Sequence, residues 1–262
     1  MAPRVGVLGG TFDPIHLGHL AVARQAADSL GLDRVLLLPS RTPPHRPVDP
    51  SASVFHRFAM VALSASTDSR LVASDLELGR PGASYTADTL RALRATGLEG
   101  WQIFFLTGAD AFAEIATWRE YPAVLDLAHF VACSRAGVAA TSLPARLPGL
   151  AARMIPVLSP GSDRRRQGFG ESAGTSVKAE DPGLHQLGGG PGVKGPETRV
   201  FLLDCSTPDV SSTGIRARAR AGRSLAGLVP PEVDDYIRRH GLYGVQTGAA
   251  PGGRPAAGNL HD

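Results

Sequence analysis

Gly9-Gly10-Thr11-Phe12-Asp13-Pro14-Ile15-His16-Leu17-Gly18-His19 joins a strand pattern to a helix pattern. An apolar run at residues 5–8 precedes it, and a helical pattern over 17–30 follows. A strand, a glycine-rich turn at 9–10 and a helix start are together a device for holding phosphate, because unpaired N–H groups converge on an anion. The nitrogens of Gly10, Thr11 and Phe12 are expected to line it, with glycine allowing close approach. His16 and His19, three apart on one helical face, can both donate to the same anion.

Outward from that stretch, apolar runs that read as buried parallel strands alternate with helical patterns. Strands are expected at residues 5–8, 35–38, 103–106, 130–133, 154–158 and 200–204, with 71–78 extended. Helices are expected at 17–30, 54–66, 86–95, 212–221 and 231–240, with short helical pieces at 110–115 and 121–127. This order implies an α/β fold, a doubly wound parallel sheet with C-terminal helices and ligands at the strand C-termini. Residues 160–199 hold ten glycines and four prolines with few large apolar side chains. Such a composition buries too little surface to offset the entropy of ordering. It reads as a flexible insertion into a single domain spanning 1–243, and 246–262 reads as a flexible tail.

Composition narrows the function classes. The 262 residues are 43% hydrophobic, enough for a sizeable core, and the net charge is only +3. The one dense basic cluster, Arg164-Arg165-Arg166, lies in the insertion, so no nucleic-acid-binding stripe is expected. Cys133 and Cys205 make neither a zinc signature nor a disulfide scaffold, and a reducing cytoplasm is expected. No signal segment or membrane span is read.

A second anion site is expected at Val210-Ser211-Ser212-Thr213-Gly214-Ile215-Arg216. The Ser and Thr residues at the start of the helical pattern are good N-caps, their hydroxyls and the free N–H groups of the first turn make the site, and Arg216, one turn in, can clamp a phosphate. Gly108-Ala109-Asp110 ends the strand at 103–106. There Asp110 could accept from a ribose, support a metal or cap the next helix.

The first motif resembles the His-x-Gly-His fingerprint of the nucleotidyltransferase superfamily, and in its longer form that of the bacterial nicotinate mononucleotide adenylyltransferases. The resemblance covers residues 4–135 and 200–243. It implies a Rossmann-like nucleotidyltransferase fold, with His16 and His19 at the ATP phosphates and Gly9, Gly10, Thr11 and Phe12 around them. Residues 210–216 resemble the family's Ile-Ser-Ser-Thr-x-Ile-Arg, with Val210 in place of Ile. This implies that Ser212, Thr213 and Arg216 also serve ATP, together with Gly108 and Asp110. Pro43-Pro44-His45-Arg46 resembles a Pro-Pro-His-Lys loop, which implies a cation at Arg46 near the phosphates. Ser84-Tyr85-Thr86-Ala87-Asp88-Thr89-Leu90 resembles the segment that meets the pyridine carboxylate, through Thr86. By the same resemblance Trp118 stacks on the pyridine ring, and Arg135 lies near the adenine.

The implied reaction is adenylyl transfer from ATP to nicotinate mononucleotide, with Mg²⁺ carried mainly by the ATP phosphates and no metal cluster supplied by the chain. Nicotinamide mononucleotide remains open as acceptor, and homo-oligomerisation is not legible. A non-catalytic nucleotide-binding regulator is the rival from another class.

Overall fold

The computed structural model describes residues 2–43, 50–134, 137–157 and 197–245. In chain order the elements are β1 (Val5–Gly10), α1 (Leu17–Leu30), β2 (Arg34–Pro39), α2 (Val54–Ala65), β3 (Leu71–Ala73), α3 (Thr86–Arg94) and β4 (Ile103–Gly108). Then come α4 (Ala109–Ala113), β5 (His129–Cys133), α5 (Leu143–Arg146), β6 (Met154–Val157), β7 (Val200–Leu203), α6 (Ser212–Arg220) and α7 (Pro231–Arg239).

The strands form one parallel sheet in the order β3-β2-β1-β4-β5-β7-β6. The chain winds from β1 outward through β2 to β3, returns to the other side of β1 as β4, and continues outward. The winding therefore reverses between β1 and β4. The loops leaving their C-terminal ends diverge there and open a crevice, where a doubly wound sheet takes its ligand. The sheet is buried on both faces. Leu8, Phe104 and Leu106 belong to one core and Val7, Ile103 and Phe105 to the other, as side-chain alternation demands.

The helices end where local chemistry ends them. Helix α1 buries Leu20, Ala23, Ala27 and Leu30, spaced for one face, and stops at Gly31, whose φ of 59° suits a residue without a Cβ. Helix α7 begins at Pro231, carries Glu232 and Asp234 in its first turn and Arg238 and Arg239 in its last, each sign matching the helix dipole.

Three expectations change. Gly9 and Gly10 are strand residues, paired with Leu38 and Pro39, because the ladder to β2 runs on to Pro39. The extended reading of 71–78 holds only for Leu71–Ala73, since residues 76–79 form turns. Nearly all of 160–199 lies outside the described residues, as does 246–262. Thr198, near the end of 160–199, is packed. Buried Thr198 donates from Oγ1 to the Leu125 carbonyl at 2.7 Å and accepts from Arg153 Nη2 at 2.7 Å.

His129 opens β5 from inside the core, and its Nδ1 accepts the Arg199 N–H at 2.8 Å. Burial, and then the charge of Arg4, push its pKa from 6.5 down to about 4. The unfolded chain thus takes up a proton near pH 6.5 that the folded chain refuses until about pH 4. The neutral histidine's stabilisation is complete above pH 6.5 and is lost as the pH falls toward 4. Over that window the loss is about 3 kcal/mol. Urea unfolding of the parent and His129→Asn should show the parent's advantage shrinking by that order between pH 7 and 4. A constant difference would remove His129 from the acid sensitivity.

Candidate active site

The crevice at the β1–β4 reversal is a cavity of about 1470 Å³, larger than the roughly 300–1,000 Å³ of a site for one drug-sized ligand. Gly9, Gly10, Thr11 and Phe12 line it at the end of β1, with His16 and His19 at the start of α1. Gly108 and Asp110 face it from the end of β4, and Ser212 and Thr213 from the start of α6. Thr86 and Trp118 line it as well. Arg46 and Arg135 lie outside the described residues. Arg216 is not among the lining residues.

The histidine pair is ordered by its own backbone. His16 is the N-cap of α1, with extended φ and ψ of −148° and 171°. Its N–H donates to His19 Nδ1 at 3.3 Å, and the two rings stack with centroids 3.7 Å apart. An Nδ1 that accepts places the neutral ring's proton on Nε2. His19 is therefore set as a donor from the far side of its ring. Gly18 leaves room between them, because a Cβ there would lie 3.1 Å from both His16 Nδ1 and Val210 Cγ1 and would press on both. Phe12 meets His19 edge-on at 5.0 Å and takes a φ of 49°. A left-handed backbone costs a non-glycine residue on the order of 1–2 kcal/mol, here held by a ring only 2% exposed. A Cβ on Gly10 would come within 2.9 Å of that ring.

Behind the histidines, the two sequence motifs are bonded to each other. Asp13 is 1% exposed. Its Oδ2 accepts from Ser51 N at 2.8 Å, and its Oδ1 accepts from Ala52 N at 3.1 Å and from the Tyr243 hydroxyl at 2.9 Å. Burial and the adjacent Asp13 carboxylate raise the Tyr243 pKa, so the phenol stays a donor. Arg216 Nη1 donates to the Asp13 carbonyl at 2.7 Å and lies 3.7 Å from its Oδ2, while Nη2 donates to Thr213 Oγ1 at 3.2 Å. Ser212 Oγ donates to the Pro14 carbonyl at 2.9 Å, so Ser211, not Ser212, caps α6, accepting from Gly214 N at 3.1 Å. The sequence reading of Arg216 as a phosphate clamp thus meets a guanidinium already engaged with the first loop. Buried Arg57 holds the same loop from α2, donating to the Thr11 carbonyl at 2.6 Å.

At the other end of the cavity, Thr86 opens α3. Trp118 stands edge-on to Phe105, with ring centroids 6.2 Å apart. Sequence reasoning missed the clip beneath them. Thr89, 1% exposed, donates from Oγ1 to Glu77 Oε1 at 2.6 Å and accepts from Arg80 Nη2 at 2.8 Å. Its hydroxyl bridges a carboxylate and a guanidinium and closes the loop that carries Ser84, Tyr85 and Thr86. Ser84 is tied in turn to the segment after β2, its N–H donating to Thr42 O at 3.0 Å and its Oγ accepting from Arg41 N at 3.2 Å. The available signal is an acid and a base three apart, Glu77 and Arg80, shortly before the helix that starts at Thr86. Such a pair more often marks a solvated face.

Residues 7–218 match the cytidylyltransferase-like family model. A protein of Desulfatibacillum aliphaticivorans, named a probable nicotinate-nucleotide adenylyltransferase, is 37% identical over 245 residues, which is 92% of this chain and 99% of that one. A protein of the same name from Geobacter sp. (strain M21) is 37% identical over 240 residues, 92% of this chain and 98% of that one. Among solved structures, the Plasmodium falciparum nicotinic acid mononucleotide adenylyltransferase complexed with NaAD shares the fold. Its TM-score is 0.64 and its identity 15%, over 94% of this chain and 99% of that one.

The Asp13 network sets a stability test. In Asp13→Asn the amide NH₂ must face Ser51 N–H or Ala52 N–H, whichever way it turns. The expected loss is about 2–4 kcal/mol in urea unfolding, from a buried donor left without an acceptor and a lost ionic partner for Arg216. A variant as stable as the parent would remove Asp13 from the centre of the site.

Proposed function

The chain belongs to the cytidylyltransferase-like family and, within it, to the nicotinate-nucleotide adenylyltransferases, and we propose that it transfers the adenylyl group of ATP to nicotinate mononucleotide. The products are nicotinate adenine dinucleotide and pyrophosphate, a step in NAD biosynthesis. The observation that carries this reading is the stacked His16–His19 pair at the N-terminus of α1, in one cavity with the start of α6 and with Trp118.

The acceptor phosphate is the nucleophile. With a second pKa of about 6 it is ionised at neutral pH, so no general base is required. An oxygen of that phosphate bonds to the α-phosphorus of ATP, and the bond from that phosphorus to the pyrophosphate oxygen breaks. The protein must bring two polyanions together and stabilise charge on the equatorial and bridging oxygens.

His19 Nε2–H donates to an α-phosphate oxygen, oriented by the His16 N–H on its other nitrogen. His16 shares that anion from the N-terminus of α1. The β1 loop from Gly9 to Phe12 and the first turn of α6 at Ser212 and Thr213 hold the triphosphate. ATP enters as its Mg²⁺ complex, with the ion brought by the substrate. Among the described residues no group of three or more His, Cys, Asp or Glu is arranged to hold a metal. Gly108 and Asp110 receive the adenosine, Asp110 accepting from a ribose hydroxyl, with Arg135 toward the adenine. Thr86 and the first amides of α3 take the pyridine carboxylate, Trp118 stacks on its ring, and the role of binding the acceptor phosphate falls to Arg46 by the family resemblance. Arg216 acts through the loop that it holds, as a positioning residue.

Residues 1–243 form the single catalytic domain in this reading, in a cytoplasmic setting. Among the described residues no helix is long and apolar enough to cross a membrane.

Pyrophosphate release from ATP tests the reaction and the acceptor together. Nicotinate mononucleotide should support turnover and nicotinamide mononucleotide should support less. Equal rates would place the recognition away from the carboxylate. His19→Ala should lower kcat on the order of 10²-fold or more with the fold retained, and near-parental turnover would refute its role. Trp118→Ala should raise KM for the mononucleotide and leave KM for ATP nearly unchanged. A matching rise for both substrates would count against stacking.

A further inference from the structure

Cys133 and Cys205 are the only cysteines of the chain, and the fold brings them together. Cys133 is the last residue of β5 and stands opposite Leu203, the last residue of β7. Cys205 follows two residues later. Side chains alternate along an extended chain, so it keeps the face of Leu203 and therefore of Cys133. Ser134 N–H continues the ladder to the Leu203 carbonyl at 2.9 Å. One residue beyond Cys205, the side-chain amide of Gln25 on α1 pins Ser206 at two points. Gln25 Nε2 donates to Ser206 O at 2.7 Å, and Ser206 N donates to Gln25 Oε1 at 2.9 Å. Cys205 is thus held between the sheet behind it and the Gln25 clamp ahead of it. The two cysteines pack against the same core, and both line the cavity. Cys133 is buried, while Cys205 is partly open. The neighbouring Cys205 thiol, and then burial, keep the Cys133 thiol protonated.

We propose that Cys133 and Cys205 form a redox-sensitive dithiol in the wall of the nucleotide cavity, which a peroxide closes to a disulfide that hinders ATP binding. Cys205, the accessible sulfur, reacts first. Its thiolate bonds to one peroxide oxygen, the O–O bond breaks, and the departing hydroxide takes a proton to become water. The product is a sulfenic acid at Cys205. Cys133 gives up its proton and bonds to the Cys205 sulfur. The S–O bond breaks, and the hydroxide leaves with that proton as a second water. Two thiols are oxidised by two electrons while one hydrogen peroxide is reduced to two waters. An S–S bond of about 2.05 Å is much shorter than a thiol–thiol contact. Closure therefore draws the end of β5 toward the segment at 204–211, whose Ser206, Thr207 and Ser211 face the cavity. The effect on ATP rests on the adenylyl-transfer reading of the cavity, whereas the disulfide itself does not.

The experiment treats the full chain with hydrogen peroxide, with and without saturating Mg²⁺–ATP. Thiols are then alkylated with iodoacetamide under denaturing conditions, and the intact mass is measured. Untreated protein should carry two adducts and oxidised protein none, as a monomer on a non-reducing gel. Dithiothreitol should restore both adducts, and Mg²⁺–ATP should slow their loss. The oxidised enzyme should show KM for ATP raised roughly 10-fold or more, reversibly, as expected for a wall displaced by about an ångström. Cys205→Ser should keep one alkylatable thiol and, after peroxide, the rate it had before. Two persistent adducts, or disulfide-linked dimers, would overturn the dithiol. A disulfide that leaves KM for ATP unmoved would overturn its effect on binding. An untreated enzyme without turnover would count against the adenylyl-transfer reading alone, since the mass result needs no activity.

Discussion

A single buried carboxylate holds the β1 loop, the entry to α2 and the C-terminus in register. Asp13 accepts two main-chain N–H groups from Ser51 and Ala52 and a phenol from Tyr243, and Arg216 spans its carbonyl and carboxylate. A buried charge deprived of its partners costs about 3–5 kcal/mol, so these segments adopt their places together or not at all. The contacts reach across 38, 203 and 230 residues of chain. They turn the N-terminal and C-terminal motifs into one structure, and the position of the histidine pair follows from it.

Rigidity is the chemical consequence. Electrostatic stabilisation of a transition state works when donors are already aimed and need no reorganisation. Three contacts aim this site: the His16 N–H on His19 Nδ1, the Phe12 ring against His19, and Arg57 on the Thr11 carbonyl. Elsewhere in the cavity wall, the Glu77–Thr89–Arg80 clip and the Ser84–Thr42 bond do the same for the start of α3. Both ends of the cavity are loops whose shape is dictated from behind by buried polar groups.

The parts legible in the sequence were those with a local cause. Helix α1 begins and ends where its apolar spacing and Gly31 indicate, and most strands were found within two residues because buried parallel strands read as short apolar runs. The first motif stands out in the sequence because glycine turns and paired histidines are uncommon together, and its residues line the cavity. Strand β3 was overcalled because an apolar run does not reveal where its neighbour stops. Asp13 went unremarked because an aspartate before proline reads as a turn residue.

The class of fold, the glycine-histidine loop after β1 and the family resemblance are legible in the residues alone, since these rest on periodicity and on residue types within a few positions of each other. Only the tertiary structure decided which strands are neighbours, where the winding reverses, and what each polar side chain bonds. Arg216 braces the Asp13 loop, Ser212 ties α6 to the Pro14 carbonyl, and Cys133 and Cys205 pack against one core. The physical reason is the same in each case. A hydrogen bond is set by distance in space, and two residues far apart in the chain carry no local sign that folding will bring them within 3 Å.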